Sequence, residues 1–287
     1  MVGEKRITIF TIFNTLILLG VAISTIYPVL YIVAISFSDT ASVTQGKVFL
    51  WPIGFNLDAY IHILSEDRIP RAYLNTIIYT TLGTFINLFM TAIAAYPLSR
   101  THLFGRKFFV IIIVITMFLN GGMIPTYLVV QELGLINSIW AIVLPNAIWT
   151  FELLILKSFY ENMSESLRES AVLDGASEMR ILMSIMIPLS KPALASIGLF
   201  YFMGHWNSYF LPMIYLKDID MYPLQVVLRE MLIFQYAEET SVYSAKSFPP
   251  ESLKNATIFI SMIPVLIIYP FAQKYFAKGV TLGSEKG

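Results

Sequence analysis

The sequence predicts an all-α, polytopic membrane protein with six transmembrane helices, and three observations lead there. Hydrophobic residues make up 56% of the 287 residues and charged residues only 13%, against about 25% charged in a typical soluble domain. A single soluble core cannot bury that much apolar side chain. The apolar residues also fall into long runs of the kind a bilayer crossing needs, about 20 residues each. Finally, Lys and Arg are unequally shared between alternate connecting segments, as the two sides of a membrane require.

Composition also excludes classes. A formal net charge of zero argues against nucleic-acid binding, which needs a basic face. With no cysteine there is no disulfide framework, thiolate metal site or cysteine nucleophile. His62, His102 and His205 are too scattered to suggest a metal site. No Gly-x-x-x-x-Gly-Lys-Ser/Thr loop is present, so the chain itself is expected to bind neither ATP nor another cofactor. No catalytic set is visible.

The spans are expected at about residues 7–37, 72–98, 108–130, 138–158, 193–216 and 256–276 of one transmembrane domain covering 1–287. Lys5 and Arg6 precede the first run, which is about twice the length of a signal-peptide core and so is expected to be retained. Pro28 should kink it. Residues 38–71 form a polar interlude, with Trp51-Pro52 as an interfacial anchor and Asn56 to Leu64 as a short surface helix. In the third span Asn120-Gly121-Gly122, followed by Pro125, should break the helix. Such a break is tolerated only against protein or a water-filled cavity. The fourth span holds Pro145 and Glu152. Glu152 lies five residues before Lys157, close enough to reach the interface.

Six spans place both termini on one side. That side carries twelve Lys and Arg, the other seven. The short loops are sharper: residues 99–107 hold Arg100, Arg106 and Lys107, whereas 131–137 hold none. By the positive-inside rule both termini and the segment 159–192 are cytoplasmic.

That segment is the longest polar stretch between inner spans. Ser166 with Glu169 three residues on reads as a capping box. The helix it starts should end near Leu173, because Asp174-Gly175 offers the left-handed residue that stops helices. Ser177 can cap a second helix from Glu178 to Met186, interrupted by Pro188 and Pro192.

Glu169-Ser170-Ala171, Gly175 and Ile185-Met186-Ile187-Pro188 together resemble the EAA motif of ATP-binding-cassette importer permeases, with Ser170 for an Ala and Ile187 for a Leu. The run His205-Trp-Asn-Ser-Tyr-Phe-Leu-Pro-Met-Ile-Tyr-Leu216 resembles a block of the carbohydrate, maltose-type permeases. With Pro223 to Arg229 and the tail from Lys278 to Gly287, the similarity covers nearly the whole chain. It is strongest to the LplC/YtcP-like polysaccharide and oligosaccharide branch.

The resemblance implies a type I importer permease fold and a cytoplasmic coupling helix that docks on a separate ATPase. That ATPase would bind ATP and Mg. Leu167, Ala171 and Val172 would fill the ATPase groove, Glu169 would make a charged contact and Gly175 would allow the turn. Asp174, Ile185 and Pro188 complete the motif. Implied partners are a second permease subunit, an ATPase dimer, an extracellular sugar-binding lipoprotein and an oligosaccharide. The loop Tyr236 to Glu251 would meet the binding protein.

Two alternatives stay open for His205, Trp206, Asn207 and Tyr209 in the fifth span. Trp206 could stack on a sugar ring while Asn207 binds hydroxyls, or both could serve helix packing. The rival to an ATP-driven importer is a secondary transporter using Glu152 and His205. That rival has no need of the coupling stretch.

Overall fold

The computed structural model describes residues 9–65, 67–119, 121–238 and 250–282, all helical or irregular. Lys5, Arg6, Asn120, residues 239–249 of the expected binding-protein loop and the final Gly283 to Gly287 lie outside the described residues. In order the helices are α1 (Ile9–Ser36), α2 (Thr40–Thr44), α3 (Asp58–Ser65), α4 (Arg68–Ser99), α5 (Arg106–Phe118) and α6 (Met123–Glu132). Then come α7 (Ile139–Val143), α8 (Thr150–Glu161), α9 (Glu165–Leu173), α10 (Glu178–Ile181), a π-helical turn (Leu182–Met186) and α11 (Ile187–Leu189). The last four are α12 (Lys191–Trp206), α13 (Phe210–Tyr215), α14 (Leu224–Glu238) and α15 (Pro250–Leu282).

Among the described residues three helices are long and apolar enough to cross a membrane: Ile9–Ser36, Arg68–Ser99 and Glu251–Pro270 within α15. Two bent pairs, α5 with α6 and Glu178–Leu189 with α12, bring the number to five. The described residues therefore hold three to five candidate spans, all helical. The expected fourth span is not one helix, because Pro145 falls in a break between α7 and α8. The fifth is interrupted at Asn207 to Tyr209, where α12 stops. The third is broken where Gly121-Gly122 falls, as expected, with Gly122 at φ +88°.

The described residues group into two compact units, one within the bounds Met1–Pro70 and Leu228–Ile263, the other within Arg71–Val227 and Pro264–Gly287. In the first, α1 exposes almost all of its apolar surface, from Ile9 at 85% to Leu30 at 44%. Thr15, Ser24 and Thr25 bond carbonyls of the same helix, Thr15 that of Thr11 at 2.7 Å and Thr25 that of Val21 at 2.8 Å. That is what a helix surrounded by hydrocarbon needs. Ala34 and Ile35 cluster with Val43 and Val48. Phe37 stacks between Phe55 and Tyr60, at 5.5 and 4.7 Å. The expected surface helix forms as α3, and Trp51 is 80% exposed.

The second unit is built around α4, α8, α9, the α10 region and α12. Ala92, Ala95, Tyr96, Leu153, Leu156, Ala171, Ile181, Ile197 and Tyr201 form one buried cluster. Small residues such as Ala92 and Ala95 let helices approach where no hydrophobic effect drives them together. At another point the turn after α13 is fixed by side chains. Asn137, at φ +61°, accepts from the Lys217 and Asp218 N–H groups at 2.8 and 3.0 Å. Asn75 and Tyr79 donate to the carbonyls of Asp220 and Met221.

Candidate coupling and translocation site

The α9 helix begins two residues before the expected start. Ser164 is its N-cap residue, and the Ser164 and Ser166 hydroxyls bond each other at 2.6 Å. The capping box at Ser166 does not form, because the Ser166 carbonyl is already inside the helix and accepts from the Ser170 hydroxyl at 2.9 Å. The helix ends at Leu173 as the sequence indicates. Gly175 sits at φ +77°; its N–H bonds the Val172 carbonyl at 3.0 Å and the Ala176 N–H bonds that of Ala171 at 2.9 Å. Those two bonds are a Schellman stop, and the left-handed residue at its centre favours glycine. Ser177 caps α10, accepting from the Arg180 N–H at 3.3 Å. Pro188 does not interrupt the helix beyond that cap. The π-helical turn precedes it, α11 continues through it, and the bend of 83° comes at Ser190.

Behind the turn stands an ionic brace. Arg168 pairs with Glu178 and, at 3.2 Å, with Glu165. The Tyr96 hydroxyl donates to Glu178 Oε2 at 2.5 Å, and Arg100 bonds Glu165 at 3.0 Å while lying over the Tyr96 ring. Arg168 and then Tyr96 hold the Glu178 carboxyl below the usual carboxylate range, and Glu178 keeps Arg168 protonated above its own. A depressed native value gives stability that is fully present above the ordinary Glu value of about 4.3 and is lost as pH falls through the lower one. Amide exchange across residues 165–181, corrected for intrinsic rate, should therefore accelerate below about pH 4. Glu178→Gln should accelerate it at neutral pH and flatten the acid dependence; an unchanged profile would mean that the brace contributes nothing.

The outer side of this knob is apolar and charged at once. Leu167 and Val172 are each 46% exposed, Leu173 is 88% exposed, and Met179, in α10, is 55% exposed. The Glu169 and Asp174 side chains are exposed and have no hydrogen-bond or ion-pair partner among the described residues. Around Gly175, a built Cβ would meet open space. Ala171 differs from its expected place: it is 8% exposed, turned into the chain's own core, because it shares the inner helix face. Ile185 also packs on that core, while Pro188 is exposed. Leu173 belongs to no motif in the sequence. Its one signal there is its place directly before Asp174-Gly175, at the end of the helix.

At the other end of α12 the side chains divide between packing and exposure. Trp206 is 2% exposed, stacked on Phe202 and edge-on to Tyr73, both at 5.8 Å, so its faces are taken by protein. His205 is 8% exposed and bonds Asn87 at 2.6 Å. Asn207 is exposed and caps its own helix through Met203 at 2.8 Å; Tyr209 is 44% exposed beside it. Glu152 is only 6% exposed, in the first turn of α8, which begins at Thr150 beyond the break that holds Pro145. Among the described residues no group of three or more His, Cys, Asp or Glu could hold a metal ion.

Asn87, in sequence only one polar residue among several in its span, is fully buried. Its Nδ2 donates to the Asn146 carbonyl at 2.5 Å, catching backbone that the break at Pro145 sets free.

No family model matches the chain. It is 44% identical over 273 residues to the polygalacturonan/rhamnogalacturonan transport system permease protein YtcP of Bacillus subtilis (strain 168), covering 94% of this chain and 96% of that protein. Among solved structures it resembles a chain of a bacterial ABC transporter involved in the import of the acidic polysaccharide alginate. The TM-score is 0.87 at 36% identity, over 96% of this chain and 99% of that one. A chain of a bacterial alginate ABC transporter, solved in complex with an alginate pentasaccharide-bound periplasmic protein, shares the fold at 16% identity and a TM-score of 0.59. The match covers 93% of this chain and 94% of that one.

Proposed function

Because the chain belongs to the permease subunits of ATP-binding-cassette carbohydrate importers, we propose that it forms one half of a membrane pathway for oligosaccharides, driven by a separate ATPase. It is a transport component and not an enzyme. In this reading six membrane crossings place both termini and the α9–α10 knob in the cytoplasm, consistent with the Lys and Arg bias. A second permease subunit completes the pathway, and an extracellular binding protein delivers the sugar. Similarity to permeases named for polygalacturonan and alginate favours an acidic oligosaccharide. ATP and Mg belong to the ATPase. Asn207 and Tyr209, exposed at the end of α12, are the candidates for contact with the passing sugar.

One observation carries the reading. A short helix, stopped by a Schellman turn and braced by Arg168 and Glu178, holds Leu167, Val172 and Leu173 outward beside the unpaired carboxylates of Glu169 and Asp174. Exposed apolar residues ringed by charge at a rigid turn suit a groove on a soluble partner. ATP-driven closure of the ATPase would displace this knob as a rigid body and carry α12 with it.

The test is co-purification of the tagged permease with candidate ATPase subunits. Wild type should retain one of them. Leu167→Asp with Leu173→Asp changes only exposed positions and should weaken capture by about thirtyfold or more, as loss of interface anchors does. A wild-type chain that captures no ATPase, or a double variant that captures it undiminished, would sink the docking assignment.

A further inference from the structure

Asn87 uses both ends of its amide. Nδ2 donates to the Asn146 carbonyl, and Oδ1 lies 2.6 Å from His205 Nε2. A carbonyl only accepts, so the end of Asn87 facing it must be the NH2. The other end is then the acceptor, and His205 must donate from Nε2. The neighbouring layer repeats the pattern: the Tyr201 hydroxyl bonds Thr91 at 2.7 Å and accepts from the Trp149 N–H at 3.4 Å. Two glycines make room. A Cβ on Gly83 would lie 2.6 Å from the His205 ring, and one on Gly204 would lie 2.1 Å from the Trp149 ring.

Three elements meet at this node: α4, the broken backbone of residues 144–149, and the end of α12. Two of them lead to the coupling knob. The chain leaves the break as α8, which ends at Glu161, four residues before α9 begins. After the knob it returns through the bend at Ser190 as α12. The break at Pro145 is a potential hinge, because no helical hydrogen bonds cross it from α7 to α8.

We propose that Asn87 and His205 are positioning residues for transport, clamping α4, the 144–149 break and α12 so that displacement of the knob moves all three together. Without the clamp, motion of the knob is absorbed by flexing at the break. The inference rests on the importer reading above. It also gives His205 a task inside the protein rather than on the sugar.

The experiment uses the complex assembled with cysteine-free partner subunits in proteoliposomes. Since this chain has no cysteine, Ser208→Cys provides one reporter near the node. Two quantities are read: ATP hydrolysis, and the change in maleimide alkylation rate between nucleotide-free and ATP–vanadate-trapped states. His205→Gln keeps a donor within reach of Asn87 and should behave as wild type. His205→Phe keeps a ring without a donor, and Asn87→Leu removes both bonds. Both should still hydrolyse ATP while the nucleotide-dependent change falls by about fivefold or more, the low end of measured site-to-site coupling.

The proposal is overturned if both variants keep the full change. It is equally overturned if they lose assembly or hydrolysis together with it, since the node would then serve folding alone. No nucleotide-dependent change in wild type is a different failure, and it counts against the importer reading itself.

Discussion

Gly175→Val should abolish sugar uptake while leaving insertion and accumulation of the chain intact. The residue sits at φ +77°, where an L side chain costs about 1–2 kcal/mol in backbone energy, and a β-branched one more. No neighbour within 4 Å contributes to the penalty, so the effect is purely conformational. To escape it the turn must leave the left-handed region, which breaks the Gly175–Val172 and Ala176–Ala171 bonds and swings α10 away from α9. The Arg168–Glu178 pair spans that turn and is lost with it. Gly175→Asn, whose side chain tolerates the left-handed region, should keep most activity. Gly175→Asp should fall between the two and adds a charge to the docking side. Uptake and ATPase capture measured side by side decide the matter. If the valine variant transports normally, the knob is not rigid in the way its turn implies.

Gly204→Ala should have the largest effect on stability. Its new Cβ would lie 2.1 Å from the Trp149 ring. That ring has little room to retreat, being edge-on to Tyr201 at 4.9 Å and tilted over His205 at 6.4 Å. Overpacking of a closed site costs about 1–3 kcal/mol and forces backbone shifts. Here the shift falls on the break whose Asn146 carbonyl Asn87 holds. The thermal midpoint of the purified chain should drop by several degrees, and Gly204→Val should fail to accumulate. Trp149→Ala in the Gly204→Ala background should recover part of the loss, because it removes the obstructing ring. An unchanged midpoint in Gly204→Ala would show that the two helices do not meet as described.

Much of the coupling knob is legible in the sequence because its signals are local. The stop at Leu173 comes from Asp174-Gly175, and the cap at Ser177 from its place before Glu178. The expected start is misplaced by two residues because Ser164 and Ser166 are both good caps, and only their position in three dimensions chooses between them. The turn toward the core is equally hidden: Ala171 and Val172 are adjacent and both apolar, yet one is buried and the other exposed.

Within the membrane segments the division is sharper. Apolar composition by itself determined that the chain is a helical membrane protein. Its paired glycines marked one break, at Gly121-Gly122. Hydropathy measures compatibility with hydrocarbon, however, and does not tell a lipid-facing residue from one facing protein. Tertiary structure alone decided that Trp206 packs on Phe202 and Tyr73, and that Glu152 lies inside. It alone decided that the fourth span breaks. A break at membrane depth is stable only when a distant side chain satisfies the freed backbone. Here that side chain is Asn87, 59 residues away in sequence from the carbonyl it holds.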